Sequence, residues 1–132
     1  MLIFFKVKTT MDINTPEKLM RSRYEAFVRE DWQYIANTSI NQTIEELSTS
    51  PSLTWLKLDV LKAYDNIVEF KAYYIQGQDI EVLHEKSTFI KLGNVWKYQG
   101  GTLYPCKIHS NELCPCGSKK KFKRCTCTLK AF

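Results

Sequence analysis

Four of the chain's five cysteines fall within the run Cys114-Pro115-Cys116-Gly117-Ser118-Lys119-Lys120-Lys121-Phe122-Lys123-Arg124-Cys125-Thr126-Cys127. Four thiolates this close suit a soft divalent ion in a closed tetrahedron, zinc above all, at ~2.3 Å from each sulfur. Such a site leaves no open position for water, so its role is structural. Local geometry favours convergence of the sulfurs. In extended backbone, Cys114 and Cys116 project to the same side. Gly117 and Ser118 supply a turn and a helix N-cap. A short helix from Lys119 to Cys125 then sets Phe122 and Cys125 three residues apart on one face, and Cys127 closes the tetrahedron. Other chemistries fit less well. An odd number of cysteines and no visible secretory segment argue against a disulfide framework. A redox pair normally uses C-x-x-C spacing, which the cluster lacks.

So short and polar a segment buries little apolar surface. Metal binding must therefore supply its folding energy, on the order of 10–16 kcal/mol in small zinc modules. The run from Cys114 to Cys125 resembles the SEC-C motif, the zinc-binding segment at the carboxyl terminus of the SecA translocation motor and elsewhere. That pattern is C-x-C-x8-C followed at once by Cys or His. Cys114, Cys116 and Cys125 match its first three ligands, whereas Thr126 stands in the fourth place and cannot replace a thiolate. Cys127 is the expected substitute, ahead of His109 and Cys106.

The net charge of +5 is unevenly placed. Acidic and basic residues cancel before the tail, whereas residues 111–132 carry Lys119, Lys120, Lys121, Lys123, Arg124 and Lys130 against Glu112 alone. Four thiolates around one divalent ion would offset part of this excess. The cations Lys119, Lys120, Lys121, Lys123 and Arg124 form the expected partner-binding surface. RNA is the weaker expectation, because only Phe122 interrupts the basic run and stacking platforms are missing. The SecA segment contacts an acidic protein chaperone, so the resemblance implies an acidic protein or ribosome-associated partner.

The remainder of the chain must position this tail. Thr15 reads as a helix cap, Pro16 as the first helical residue and Glu17 as an acid near the positive end of the dipole. Met20, Tyr24 and Phe27 recur at helical spacing, with Leu19 and Ala26 widening the stripe. Short helices are expected through Trp32, Tyr34 and Ile35, and from Ile44 to Leu47. After Leu53 the period becomes two. Leu56, Leu58 and Val60 alternate with Lys57 and Asp59, and Val68, Phe70, Ala72 and Tyr74 with Glu69, Lys71 and Tyr73. Asp65-Asn66 suits a hairpin, and Gly93-Asn94 joins a strand over residues 80–92 to Val95-Trp96-Lys97-Tyr98. Helices followed by an antiparallel meander predict an α+β fold with helices on one face of the sheet.

Residues 15–28, Thr15-Pro16-Glu17-Lys18-Leu19-Met20-Arg21-Ser22-Arg23-Tyr24-Glu25-Ala26-Phe27-Val28, resemble the helix of the bacterial YchJ-like proteins. Trp55-Leu56, Val68-Glu69-Phe70, His84-Glu85-Lys86-Ser87 and Trp96 with Tyr98 fall where that family's sheet has matching residues. The resemblance spans residues 14–127 and implies a nuclear-transport-factor-2-like cone, its helices closing a curved sheet around a cavity. Family members typically carry a SEC-C motif at each end, and the amino-terminal copy has no counterpart here. The expected divisions are an extension over residues 1–13, the cone over 14–108 and the zinc-binding tail over 109–132. Met1 to Thr10 resembles neither family, which makes Met11 a candidate native start.

Arg21 and Arg23 lie about 200° apart on a helix, so one of them faces the core. There it would meet an anionic ligand or, as buried charges usually do, a carboxylate such as Glu69 or Glu85. His84 and Glu85 are the other candidates for a cone pocket, although a structural hydrogen bond is the expected role of His84, since no nucleophile or second base is visible. Trp55, Trp96, Tyr73, Tyr74 and Tyr98 are expected to pack the sheet rather than to cage a ligand. No phosphate loop, paired-acid motif or Ser/His/Asp series is present. The composition, 44% hydrophobic and 25% charged, fits a soluble globular protein. No apolar run reaches membrane-spanning length, and a cytoplasmic location is expected. The favoured function is a zinc-binding adaptor. A small-molecule binder or enzyme using Arg23, His84 and Glu85 is the alternative.

Overall fold

Thr15 caps the first helix as its position predicts. Its hydroxyl accepts the Lys18 N–H at 3.2 Å, with Pro16 at the first turn and Glu17 beside it. The computed structural model describes residues 14–125. Three helices, α1 (Pro16–Arg29), α2 (Trp32–Asn37) and α3 (Ile44–Ser48), precede four strands. These are β1 (Thr54–Tyr64), β2 (Ile67–Gln76), β3 (Asp79–Leu92) and β4 (Val95–Tyr104). They form one curved antiparallel sheet in chain order. Asp65 and Gly93 take left-handed conformations, with φ of 50° and 64°, at the first and last hairpins. The architecture is the expected α+β one. No helix among the described residues is long and apolar enough to cross a membrane.

Alternation along the strands separates an inner face from an outer one. Leu19 and Met20 of α1 bury against Val68, Phe70, Ala72 and Phe89 of the sheet. A second cluster, Ala26, Ile35 and Leu47, ties the three helices to one another. The inner face of β1 departs from simple alternation. The register slips between Trp55 and Lys57 and again between Val60 and Lys62. Trp55, Leu58 and Val60 therefore pack on the core, and Leu56, expected on that face, sits in the first bulge. Bulges of this kind strengthen strand twist, which curls the sheet around the helices.

The segment leading into α3 stitches the two layers together. The Tyr98 N–H donates to Thr38 O at 2.7 Å, and the Ile40 N–H donates to Tyr98 O at 3.1 Å. That pairing brings α2 and the following loop to the edge strand β4, directly over Arg23 of α1.

Candidate functional site

The tail is built on a small backbone framework. Leu113 and Lys121 form an antiparallel bridge. Around it the Cys114 N–H donates to Lys120 O at 2.8 Å, Phe122 N–H to Glu112 O at 2.8 Å, and Lys123 N–H to Ser110 O at 3.0 Å. Two expectations are corrected here. Cys114-Pro115-Cys116 is not extended but turned, with the Gly117 N–H donating to Cys114 O at 3.2 Å. The helix from Lys119 to Cys125 does not form either. Lys119 is left-handed with φ of 68°, Lys121 is extended, and only a 3-10 turn over Phe122–Arg124 remains. The run of lysines has no apolar face to bury, so pairing with residues 112–114 outweighs local helix propensity.

The turns nonetheless deliver the thiols to one place. Single ligand atoms of Cys114, Cys116 and Cys125 all lie within 4.8 Å of one another. The sulfurs of Cys116 and Cys125 are 3.5 Å apart. Tetrahedral ligation at 2.3 Å requires sulfurs ~3.8 Å apart, so this donor set fits a zinc-sized ion. Cys114 is buried and the other two are half-buried. The Ser118 hydroxyl sits 3.3 Å from the Cys125 sulfur, and hydrogen bonding from Ser118 holds the Cys116 thiol below its ordinary pKa. Neither His109 nor Cys106 joins the group among the described residues. Cys127 lies outside the described residues. Lys119, Lys120, Lys121, Lys123 and Arg124 are all exposed.

The second candidate region is a cavity of about 260 Å³ between α1 and the inner face of the sheet. Arg23 and Glu85 line it, and His84 does not. Adjacent residues of a strand face opposite ways, so His84 points outward, where Nε2 lies 2.8 Å from Glu69 Oε2. That hydrogen bond holds the Glu69 carboxyl below its usual value. The Tyr104 ring packs beside the imidazole at 5.2 Å. Arg21 faces outward as well and pairs with Glu17 at 3.0 Å.

Arg23 is buried, and among the described residues no carboxylate pairs with it. Nη1 donates to Ile35 O at 2.9 Å and Thr38 Oγ1 at 2.7 Å, and Nη2 donates to Gln42 Oε1 at 2.8 Å. Its guanidinium lies over the Tyr98 ring, 4.5 Å from the centroid. Burial lowers its pKa to about 10, opposed by Tyr98, Glu85 and Tyr34, and it remains a cation at neutral pH. The expected ion pair with Glu69 or Glu85 is thus replaced by three neutral acceptors. Glu85 Oε2 accepts instead from Ser87 at 2.6 Å and from the Tyr98 hydroxyl at 2.8 Å. Burial and the adjacent Glu85 raise the Tyr98 phenol.

Of the aromatics expected as sheet packing, Trp55 and Tyr98 also line the cavity. Trp96 packs on the core, and Tyr74 packs on Trp55 at 5.1 Å. Tyr73 is buried on the outer face, where burial and the nearby Glu112, Asp59 and Cys106 push its phenol up to about 12. Sequence reasoning missed Gln42, Ser87 and Gly101. Gly101 opposes Ser87 across β3 and β4, and a Cβ there would stand 2.3 Å from Glu85 Oε2. A glycine inside a strand is itself a signal of such close approach.

Comparison with known proteins agrees with both parts of this architecture. Residues 15–101 match the family described as YchJ, middle NTF2-like domain, and residues 111–127 match the SEC-C motif. A UPF0225 protein of Shewanella sp. (strain ANA-3) is 39% identical over 126 residues, covering 84% of this chain and 77% of the relative. A UPF0225 protein of Vibrio parahaemolyticus is 34% identical over 140 residues, covering 86% and 84%. The solution structure of a SEC-C motif containing protein from Rhodopseudomonas palustris is similar with a TM-score of 0.59 at 28% identity. That match covers 71% of this chain and 82% of the other.

Proposed function

The chain belongs to the YchJ-like family, with an NTF2-like domain joined to a SEC-C motif, and from that premise we propose that it is a metal-dependent binding protein. In this reading zinc is held by Cys114, Cys116, Cys125 and Cys127 and gives the tail its shape. The exposed Lys119, Lys120, Lys121, Lys123 and Arg124 then dock that tail on an acidic protein surface, free or ribosome-associated, in the cytoplasm. The observation that carries the reading is the convergence of three thiols in a segment whose own apolar residues are few and partly exposed, Leu113 at 58% among them. Cys127 completes the set as the next thiol along the chain. Zinc in such a site supplies structural cross-linking, with all positions taken by sulfur.

The chain's own residues prepare the site. The Gly117 turn brings Cys116 back over Cys114, and the bridge between Leu113 and Lys121 aims Cys125 at both. The exposed cations gain attraction for an acidic surface without desolvation of their own, so contact rates should depend on ionic strength.

Elemental analysis of protein purified without chelators, paired with affinity capture, tests this reading. One zinc per chain is expected. Cys116→Ser and Lys120→Glu should lose the same protein partners, with capture insensitive to nuclease. Metal-free protein that captures the same partners would remove the tail from the account. Partners released by nuclease would point to RNA instead.

A further inference from the structure

Glu85 is the cavity group that a role for the tail leaves unused. Its Oε2 atom takes the hydroxyls of Ser87 and Tyr98. Among the described residues no hydrogen bond is directed to Oε1, and no cation lies within ion-pairing distance of the carboxylate. Arg23 does not fill that place. Its donors are turned to Ile35, Thr38 and Gln42, and the Tyr98 ring stands between the two charges, its face toward the guanidinium and its hydroxyl toward the carboxylate. On the opposite strand Gly101 leaves room for the carboxylate where it stands, since a Cβ would come 2.3 Å from Oε2 and 2.8 Å from Cδ.

The rest of the wall is largely aromatic and apolar: Tyr24, Phe27, Trp55, Phe70 and Phe89 line the cavity together with Glu85. Aromatic faces attract cations and planar bodies. A partly buried carboxylate gains from a cation in direct contact, and Arg23 acts on Glu85 only through space, without a hydrogen bond. An apolar cavity of ~150 Å³ accommodates benzene, so the 260 Å³ found here takes a six-membered ring with a substituent. An anion finds no equivalent welcome, because Arg23 already spends its donors on protein acceptors. A ring without a donor would leave Glu85 as it is.

We propose that the cavity is a binding site for a small planar organic cation of the aryl amidine or aryl ammonium class, its N–H groups bonded to the Glu85 carboxylate and its ring held among Trp55, Phe70 and Phe89. This site is independent of the metal-dependent tail and of whatever the tail contacts.

Calorimetric titration of the full chain with benzamidine, benzyl alcohol and benzoate tests the proposal, since the three share a ring and differ in charge. Benzamidine should bind, benzyl alcohol about tenfold more weakly, and benzoate not measurably, a gap set by hydrogen bonds to a charged acceptor. Glu85→Gln should weaken benzamidine about tenfold and abolish its advantage over benzyl alcohol. Gly101→Ala, which displaces the carboxylate without changing charge, should weaken it similarly. Thermal melts monitored by circular dichroism report folding of both variants. If Glu85→Gln fails to fold, the order of the three ligands on the native chain and the Gly101→Ala result still decide. Benzoate binding as tightly as benzamidine, no binding of any of the three, or benzamidine affinity unmoved by the folded variants would overturn the proposal.

Discussion

The cone and the cysteine-rich tail hold their shapes by different forces. In the cone, Leu19, Ile35, Val68 and Phe89 are 1% exposed or less, and burial of apolar surface at roughly 25 cal/mol per Å² accounts for the packing of helices on sheet. In the tail, Leu113 is exposed and Phe122 only half-buried. There the convergent groups are sulfurs, and the backbone bonds around them are those of two turns and one bridge. A periodic pattern of apolar side chains can be read as a core. A ligand set is read only from spacing, and the loop that carries it can follow any backbone path that brings the thiols together.

The contrast is broken most severely by removing one sulfur. Cys116→Ser should abolish tight metal binding and cost the tail its folding energy, on the order of 10 kcal/mol. The melting temperature of the cone should change little. Equal destabilisation of both regions, seen by differential scanning calorimetry and tail-specific proteolysis, would deny their independence. Phe89→Ala is the converse experiment. Loss of this buried ring should cost about 3–5 kcal/mol in denaturant unfolding of the cone, with zinc content unchanged.

Alkaline pH sharpens the comparison inside the cone. Tyr73 and Tyr98 are both held protonated above their ordinary range, Tyr73 to about 12. The unfolded phenols ionise near pH ~10. Their contribution to stability is therefore fully present below that pH and is lost as pH rises through the folded values. Ultraviolet titration of phenolate should show these two tyrosines ionising late, together with unfolding, and Tyr98→Phe should lessen the alkaline loss. The smallest effect is expected at Arg21. Its pair with Glu17 is exposed, so Arg21→Ala should change stability by less than ~0.5 kcal/mol in urea unfolding.

Much of the cone was legible because its signals are local. The Thr15 cap, the stripe through Leu19, Met20 and Ala26, and the turns at Asp65 and Gly93 each depend on residues a few positions apart. Leu56 was misplaced because a bulge shifts the register of β1 against β2, and the alternation of types alone does not show where a strand slips. The partners of Arg23 were illegible for a related reason. Ile35, Thr38 and Gln42 lie 12, 15 and 19 residues away, and one of the three accepts through a backbone carbonyl that any sequence position could offer. Charge pairing predicted a carboxylate, whereas the fold supplied a carbonyl, a hydroxyl and an amide. His84 and Glu85 are adjacent in sequence and therefore lie on opposite faces of β3, which separates two candidates for one pocket. In the tail the ligands were legible and the path between them was not. Cys114, Cys116 and Cys125 meet without the helix that their spacing suggested, because Lys119 turns left-handed and Lys120 pairs with Cys114.

Native-state hydrogen exchange with and without a chelator tests most directly the claim that sulfur and metal shape the tail while apolar burial shapes the cone. The amides of Cys114, Phe122 and Lys123, each bonded within the tail, should lose protection when the metal is removed, while amides of β2 and β3 exchange at unchanged rates. Protection of the tail amides that persists in metal-free protein would contradict the account.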